Sequence, residues 1–187
     1  MSRGKTISDQ DLLDRLFPAL MRHGPSGLSF AGASHAAGLA PATLVQRFGT
    51  REGMVEAILL RAWDRLDETT AVADAEASLD SAGAVDLLLR LTDSDTAEHN
   101  FTDGLLLLRE DIRNPMLRAR GARWGERLAA ALGRRLCDDA DRGTQLGWQM
   151  ASLWQGALVW WAFRQDAKPE VKVRNVLEDW GRSVGAL

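Results

Sequence analysis

Two short helical stretches joined by a tight turn constrain the fold of this chain more than any other feature. Ser29 is a favourable N-cap for a helix over residues 30–37, and Gly38 ends that helix because glycine adopts left-handed backbone angles at little cost. Pro41 suits the first turn of a second helix that runs to Phe48. Each of these two helices is about eight residues long, and a further helix is predicted before them within the first 50 residues. The pattern therefore predicts a helix-turn-helix that packs on a third helix.

The stretch before this pair supplies the third helix, and helices are also predicted after it. Ser8 and Asp11 resemble a capping pair, and apolar residues follow at spacings of three and four as far as His23-Gly24. Residues 69–81 are small, acidic and aperiodic, so a loop or a weak helix is expected there. No stretch alternates polar and β-branched residues, so the chain is predicted to be all-α with about nine helices. Beyond Thr50, helices are expected over 51–67, 82–92, 97–112, 115–136, 142–164 and 169–184.

Composition argues against several classes of protein. The single cysteine, Cys137, permits no intrachain disulfide and no cysteine metal cluster, and three scattered histidines offer little to zinc. We therefore expect no metal site and no cofactor. No apolar run approaches the roughly 18 residues of a membrane span. The charged start of the chain lacks the apolar segment of a signal peptide, so a cytoplasmic protein without membrane contact is expected.

Charge is divided unevenly along the chain. Residues 1–66 hold 8 Lys and Arg against 6 Asp and Glu, whereas residues 67–187 hold 15 against 20. A basic small part joined to an acidic large part is typical of a nucleic-acid-binding domain attached to another domain. An excess this small also fits ordinary fluctuation in composition, so charge alone does not decide between the two.

The residues around the second short helix carry a family resemblance. The string Ala37-Gly-Leu-Ala-Pro-Ala-Thr-Leu-Val-Gln-Arg-Phe-Gly-Thr-Arg-Glu52 resembles the DNA-binding signature of the tetracycline-repressor (TetR) family. That signature has an Ala-Gly-apolar turn, a helix that ends in Thr-Leu-Tyr-x-His-Phe, and then Ser/Thr-Lys-Glu. Weaker similarity continues at Asn114-Pro115 and over residues 153–157, so the resemblance spans the chain, although only its N-terminal third is specific.

The resemblance implies two domains and a set of DNA contacts. A helix-turn-helix DNA-binding domain would occupy residues 1–50, and residues 51–187 would bind a ligand and form the dimer, with helix 51–67 linking the two. Outward side chains of the recognition helix would meet base edges in the major groove, while helix N-termini and cations would hold phosphate. The residues expected to face bases are Pro41, Ala42, Thr43 and Gln46, and those expected to meet phosphate are Ser29, Arg47, Thr50 and Arg51.

Several positions depart from the family signature. Val45 replaces the usual Tyr, so an aromatic contact to phosphate is lost. Arg47 replaces His and Arg51 replaces Lys, and both supply positive charge for phosphate. Ala40 replaces a Ser or Thr cap, which removes a hydrogen bond worth about 1 kcal/mol, and Ala33-Ser34 replaces a larger apolar residue followed by Ala. The departures indicate an unusual operator or a lower affinity for DNA.

The helix predicted over 142–164 is apolar on nearly all sides. Such a helix has to be covered on two faces, one within its own domain and one by a second subunit, although a monomeric core helix is the alternative. The final helix also carries an apolar stripe. Two helices from each chain are therefore expected to form a four-helix dimer interface. An operator with two-fold symmetry would follow from that dimer. The residues expected at the interface are Leu146, Leu153, Ala157, Trp160, Trp161, Val176 and Trp180.

The resemblance also implies a small-molecule pocket among helices four to eight. Such pockets are mostly apolar with a few polar groups. The 7 Trp residues, all at position 63 or later, favour a flat apolar or aromatic effector, although core packing is the competing explanation for each of them. The candidate pocket residues are Trp63, Phe101, Leu105, Leu108, Trp124, Trp148 and Trp154.

Three functions compete for this sequence. The favoured one is a ligand-responsive transcriptional repressor that binds a palindromic double-stranded DNA operator as a homodimer and is released by a small effector. A TetR-like interaction or small-molecule-binding protein with weakened DNA binding is the alternative, because of the departures from the signature. An enzyme is disfavoured: Cys137 lies beside two aspartates, which oppose a reactive thiolate, and no His-x-x-x-His or paired-carboxylate motif occurs.

Overall fold

The computed structural model describes residues 7–92, 104 and 107–186. Within these ranges the chain forms helices and no strands, which confirms the all-α prediction. Contacts divide it into an N-terminal unit, drawn from residues 1–65 and 102–120, and a C-terminal unit, drawn from residues 66–101 and 121–187. The helices are α1 (Asp9–Gly27), α2 (Phe30–Ala37), α3 (Pro41–Phe48), α4 (Arg51–Glu76), α5 (Ser81–Arg90), α6 (107–113), α7 (Pro115–Leu136), α8 (Ala140–Arg164) and α9 (Pro169–Ser183).

The N-terminal unit is built on local capping signals that the sequence displays. The hydroxyl of Ser8 accepts the backbone N–H of Asp11 at 3.1 Å, and the regular helix is interrupted at Gly24, whose φ is 69°. A further helical turn follows as far as Gly27, beyond the predicted end of α1. The bounds predicted for α2 and α3 are confirmed. The core beneath them consists of side chains with no exposed area: Leu12, Leu16, Leu20, Leu28, Ala33, Leu44, Met54 and Ile58.

Helix α4 is longer than the 51–67 predicted for it. It continues to Glu76, so residues 69–76 are helical and, of the loop or weak helix expected over 69–81, the loop is wrong for these residues. The last carbonyl groups of a helix lack partners within it. Here the completely buried side chain of Arg135 donates to the carbonyl oxygens of Asp74 and Ser78, at 2.7 and 2.8 Å, and to the Asp74 carboxylate at 2.6 Å. A partner so distant in sequence is invisible to local periodicity.

The apolar core of the C-terminal unit contains two hydrogen bonds between a tryptophan and a threonine. The indole N–H of Trp124 donates to the hydroxyl of Thr70 at 3.0 Å, and that of Trp154 to the hydroxyl of Thr92 at 2.9 Å. Each threonine in turn donates to the carbonyl four residues earlier in the chain. Every member of these links therefore has a partner, as a buried polar group requires.

Helices α7 and α8 approach each other closely at a glycine. A Cβ on Gly147 would lie 2.0 Å from the carbonyl oxygen of Ala129, so no other residue fits there without moving the backbone.

Within the described ranges, no helix is both long and apolar enough to cross a membrane.

Candidate nucleic-acid interface

One side of α3 is left uncovered by the residues that the structure describes, and it carries most of the residues expected to face bases. Pro41, Ala42, Val45 and Gln46 are exposed, and we call this set the reading face. The opposite side of the helix holds Leu44, which is completely buried in the N-terminal unit. The arrangement leaves the reading face available to a partner, while Thr43, the remaining base-facing candidate, is half-buried beside it.

The turn between α2 and α3 fixes the direction of the reading face. Gly38 adopts φ 67° and ψ 29°, a left-handed conformation that strains other residues. The hydroxyl of Ser34 donates to the carbonyl oxygen of Leu39 at 2.5 Å, and the backbone carbonyl of Ser34 accepts the N–H of Gly38 at 2.9 Å. Ser34, which the sequence interpretation treats only as a departure from the signature, therefore holds the turn through both its side chain and its backbone. The sequence signal for this role was a polar residue one helical turn before the glycine.

Ser29 and Thr50, two of the expected phosphate contacts, cap the helices that follow them. The Ser29 hydroxyl accepts the N–H of Gly32 at 3.2 Å, and the Thr50 hydroxyl accepts the N–H of Gly53 at 3.0 Å. Both residues are exposed. A hydroxyl that caps a helix retains a proton to donate, and the N–H groups of the first turn favour anions. Both caps are therefore compatible with phosphate.

Arg47, also expected to meet phosphate, is engaged inside the N-terminal unit. Its Nη1 donates to Asp9 Oδ1 at 3.0 Å and its Nη2 to the carbonyl oxygen of Ile7 at 3.2 Å. The side chain is 24% exposed, whereas that of Asp9 is 81% exposed. In this state the guanidinium is directed to the start of α1.

Arg51 is engaged in a similar way at the start of α4. Its Nη1 donates to the carbonyl oxygen of Pro25 at 2.6 Å, and its Nε donates to the Glu52 carboxylate at 3.1 Å. The pKa of Glu52 is lowered, first by its own backbone N–H and then by Arg51. The N-terminus of α4 thus already carries a carboxylate, which reduces its attraction for a phosphate.

The N-terminal unit also contains a direct link between α4 and the start of α7. Asn114 Oδ1 accepts the N–H groups of Met116 and Leu117, at 2.9 and 3.3 Å, and so caps α7. Its Nδ2 donates to the Glu56 carboxylate at 2.5 Å. The Asn-Pro pair therefore acts both as a helix start and as an anchor on α4.

The expected pocket residues are distributed over both units. In the N-terminal unit, Trp63 donates its indole N–H to Asp111 Oδ1 at 3.0 Å, and Leu108 is exposed. In the C-terminal unit, Trp124 and Trp154 are buried and donate to threonines, while Trp148 is 44% exposed. Phe101 and Leu105 lie outside the described residues. Core packing accounts for the contacts of Trp124 and Trp154.

The residues expected at a dimer interface fall into two groups. Leu146, Ala157 and Trp161 are buried within a single chain, and the Trp161 indole donates to the carbonyl oxygen of Ala167 at 2.8 Å. Trp160 is 67% exposed. Leu153, Val176 and Trp180 are half-buried.

Phe163 is an exposed aromatic residue that the sequence interpretation left out. It is 79% exposed, and its ring centroid lies 5.9 Å from that of Trp160. The signal for it was present, because Phe163 continues the apolar run of α8 one turn beyond Trp160. The two rings form an exposed aromatic pair at the end of α8.

The chain has only three histidines and one cysteine among its potential metal ligands. Within the part of the chain that the structure describes, no group of three or more His, Cys, Asp and Glu side chains could hold a metal ion.

This chain resembles known proteins in its fold. No protein-family model and no curated protein sequence matches the chain. Solved structures do match its fold. A protein described as a transcriptional regulator from Pseudomonas aeruginosa PAO1 aligns at TM-score 0.75 and 14% identity, over 96% of this chain and 92% of that one.

Two further solved structures are described as TetR-family transcriptional regulators. The one from Rhodococcus sp. aligns at TM-score 0.65 and 19% identity, over 91% of this chain and 95% of its own. PfmR from Thermus thermophilus aligns at TM-score 0.61 and 20% identity, over 89% of this chain and 94% of its own. Since these alignments cover nearly the whole of each chain, this chain has the all-helical fold of TetR-family regulators.

Proposed function

We propose that this chain is a ligand-responsive transcriptional repressor of the TetR type, which binds a palindromic double-stranded DNA operator as a homodimer. The observation that carries the proposal is the uncovered reading face of α3, set by the left-handed turn at Gly38. The similarity in fold to TetR-family transcriptional regulators supports it. An α-helix presented in this way fits the width of the major groove of B-form DNA.

In the proposed complex, α3 enters the major groove and the capped helix ends beside it meet the backbone. Gln46 is the member of the reading face whose amide both donates and accepts, as an adenine edge requires. Ser29 and Thr50 contribute hydroxyl groups, and the first turns of α2 and α4 contribute backbone N–H groups, to phosphate. Arg47 joins them once its contact with Asp9 is broken.

The exposed aromatic pair of α8 supports the homodimer. Contiguous exposed apolar patches mark surfaces that bind partners, whereas single exposed apolar side chains are ordinary. We assign the interface to Trp160 and Phe163, with Leu153, Val176 and Trp180 at its edges. The buried Leu146, Ala157 and Trp161 would hold α8 in position from beneath. Two recognition helices related by a two-fold axis would then read a palindrome.

The effector is assigned to the C-terminal unit. A flat apolar or aromatic molecule that enters its core would displace an indole from one of the two Trp–Thr links. It would have to replace the lost hydrogen bond to Thr70 or Thr92, so an aromatic molecule with one donor group fits better than a plain hydrocarbon. The effector releases DNA only if it binds more tightly to a conformation that does not fit the operator.

The first experiment is a binding-site selection with the purified full chain and random double-stranded DNA at low salt. Low salt matters because phosphate contacts dominate affinity. Enrichment of a palindrome, lost in the Gln46→Ala variant, is the expected result. Gln149→Ala serves as the matched control, because it removes an exposed glutamine from α8. A folded dimer that enriches no sequence would contradict DNA binding.

A second candidate function is a small-molecule-binding protein of the same fold with weakened DNA binding. The observation that favours it is the engagement of Arg47 by Asp9 and Ile7, which withholds a cation from DNA. The selection decides between the two, because this candidate predicts ligand-dependent thermal stabilisation without any enriched sequence.

A further inference from the structure

The reading face of α3 is uncharged. The only charged residue in α3 is Arg47, and its guanidinium is bonded to Asp9 at the start of α1. The reading face itself presents a proline ring, a methyl group, an isopropyl group and one amide, from Pro41, Ala42, Val45 and Gln46. Any base that α3 contacts through this face has to be recognised by these groups.

This set of groups suits one kind of base pair better than the other. A guanine edge is most often read by Arg or Lys, whose donors reach O6 and N7, and the reading face offers neither. An adenine edge is read by Asn or Gln, and the 5-methyl group of thymine is read by small apolar side chains. The reading face carries both a glutamine and small apolar side chains.

The exposure and shape of Val45 are consistent with such a role. It is 44% exposed, so the core of the N-terminal unit does not require it. A β-branched residue also lowers helix propensity slightly and has a restricted χ1. A side chain of this kind offers two methyl groups in a fixed direction with little entropy left to lose on binding.

We propose that Val45 and Ala42 recognise thymine methyl groups and that Gln46 recognises an adjacent adenine, so that the bases contacted by the reading face are A·T pairs. This inference rests on the proposed function, because it names the operator chemistry of the same site. It concerns only the bases under α3. Arg3 and Lys5 lie outside the described residues and have no part in it.

The test removes single methyl groups from the DNA. In the selected duplex, each thymine under α3 is replaced by deoxyuridine, which lacks only the 5-methyl group, and the Kd is measured by fluorescence anisotropy. We expect the affinity to fall about fourfold when a contacted thymine is replaced, because this is the change in affinity that corresponds to the loss of one buried methyl group. Replacing that T·A pair by 5-methylcytosine·G retains the methyl group. This duplex should bind more tightly than one with plain cytosine·G.

The Val45→Ala variant tests whether Val45 is the side chain that contacts the thymine methyl group. It should bind the thymine duplex more weakly than the wild type, yet lose most of its sensitivity to deoxyuridine at one position of each half-site. Because Val45 is exposed, the variant should keep the helical content and Tm of the wild type. Equal sensitivity to deoxyuridine in both proteins at every position would overturn the assignment of Val45.

The failures of the two proposals are distinguishable. If no sequence is enriched at low salt, DNA binding itself is contradicted. If a palindrome is enriched with G·C pairs at the positions that footprinting assigns to α3, the repressor proposal stands and the thymine inference fails.

Discussion

Arg47 Nη1 donates a hydrogen bond of 3.0 Å to Oδ1 of Asp9, so the only cation of α3 is paired with the first residue of α1. Asp9 is highly exposed, and an exposed ion pair of this kind contributes little to stability. Its larger effect would be on the proposed DNA binding, because the same guanidinium cannot bind Asp9 and a phosphate equally well. In the proposed complex, the pair would therefore set how much positive charge the protein presents to the operator.

Asp9→Asn should strengthen DNA binding. The substitution removes the charge that holds Arg47, so the guanidinium becomes available to a phosphate. We expect tighter binding at low salt, with a slope of log K against log salt steeper by about 1.8, because the proposed dimer gains one phosphate contact in each half-site and each contact is worth about 0.9. Affinity is measured by anisotropy across a salt series on the selected duplex.

Asp11→Asn is the matched control for that experiment. Asp11 lies in the same first turn of α1, is exposed, and takes part in the cap through its backbone N–H, which the substitution retains. Both variants change net charge equally, so a general electrostatic effect would steepen the slope in both. Equal slopes in the two variants would contradict a specific role for the Arg47–Asp9 pair.

The elements that were predictable from sequence are those with local causes. The bounds of α2 and α3 follow from Ser29, Gly38 and Pro41, each of which acts on its own neighbours in the chain. The exposure of Gln46 follows from helical spacing relative to the buried Leu44. These signals were sufficient to predict that Pro41, Ala42 and Gln46 lie on the exposed side of α3, whereas Val45 was not part of that prediction and Thr43 is half-buried.

The features that were missed depend on partners distant in sequence. The end of α4 depends on Arg135, and the direction of Arg47 depends on Asp9. Periodicity also could not show which apolar side of α8 is covered, since Trp160 and Trp161 are neighbours in sequence and one is exposed while the other is buried. Only the packing of the rest of the unit decides which side remains uncovered.

Arg135→Met should destabilise the C-terminal unit strongly. The side chain is completely buried, and its loss leaves the carbonyl groups at the end of α4 without partners. Breaking a buried charged network typically costs about 3–5 kcal/mol, which urea denaturation followed by circular dichroism would measure. Arg134→Met, which removes a half-exposed partner of the same Asp74, should cost at most about 1 kcal/mol. Similar costs for the two variants would contradict the capping role.

Asp111→Asn should stabilise the protein at neutral pH. Burial raises the pKa of Asp111 and nearby Glu110 adds to the effect, although the hydrogen bond from Trp63 opposes it. A carboxyl whose folded pKa lies above its unfolded pKa binds more protons in the folded state, so stability falls as pH rises between the two values. Asparagine keeps an oxygen for the Trp63 indole and carries no charge.

The pH dependence distinguishes this effect from a change in packing. The gain in Tm of Asp111→Asn over the wild type should be largest at pH 7. It should shrink as the pH falls below the folded pKa of Asp111, where the wild-type carboxyl is also neutral. Asp138→Asn, at an exposed position after α7, should leave the Tm unchanged at every pH. A gain for Asp111→Asn that is the same at all pH values would indicate that charge is not its cause.

The double variant Trp160→Ala/Phe163→Ala should be monomeric and should bind the operator weakly. The two rings are 67% and 79% exposed in one chain, so removing them leaves its own core intact, while the proposed interface would lose both aromatic side chains. Sedimentation velocity measures the oligomeric state, and anisotropy measures the affinity for a full palindrome and for a half-site. Leu79→Ala, which removes an equally exposed apolar side chain between α4 and α5, should remain dimeric. If the double variant stays dimeric, the interface does not lie at the end of α8. Because a monomer contacts one half-site only, we expect the double variant to bind a full palindrome no more tightly than a half-site.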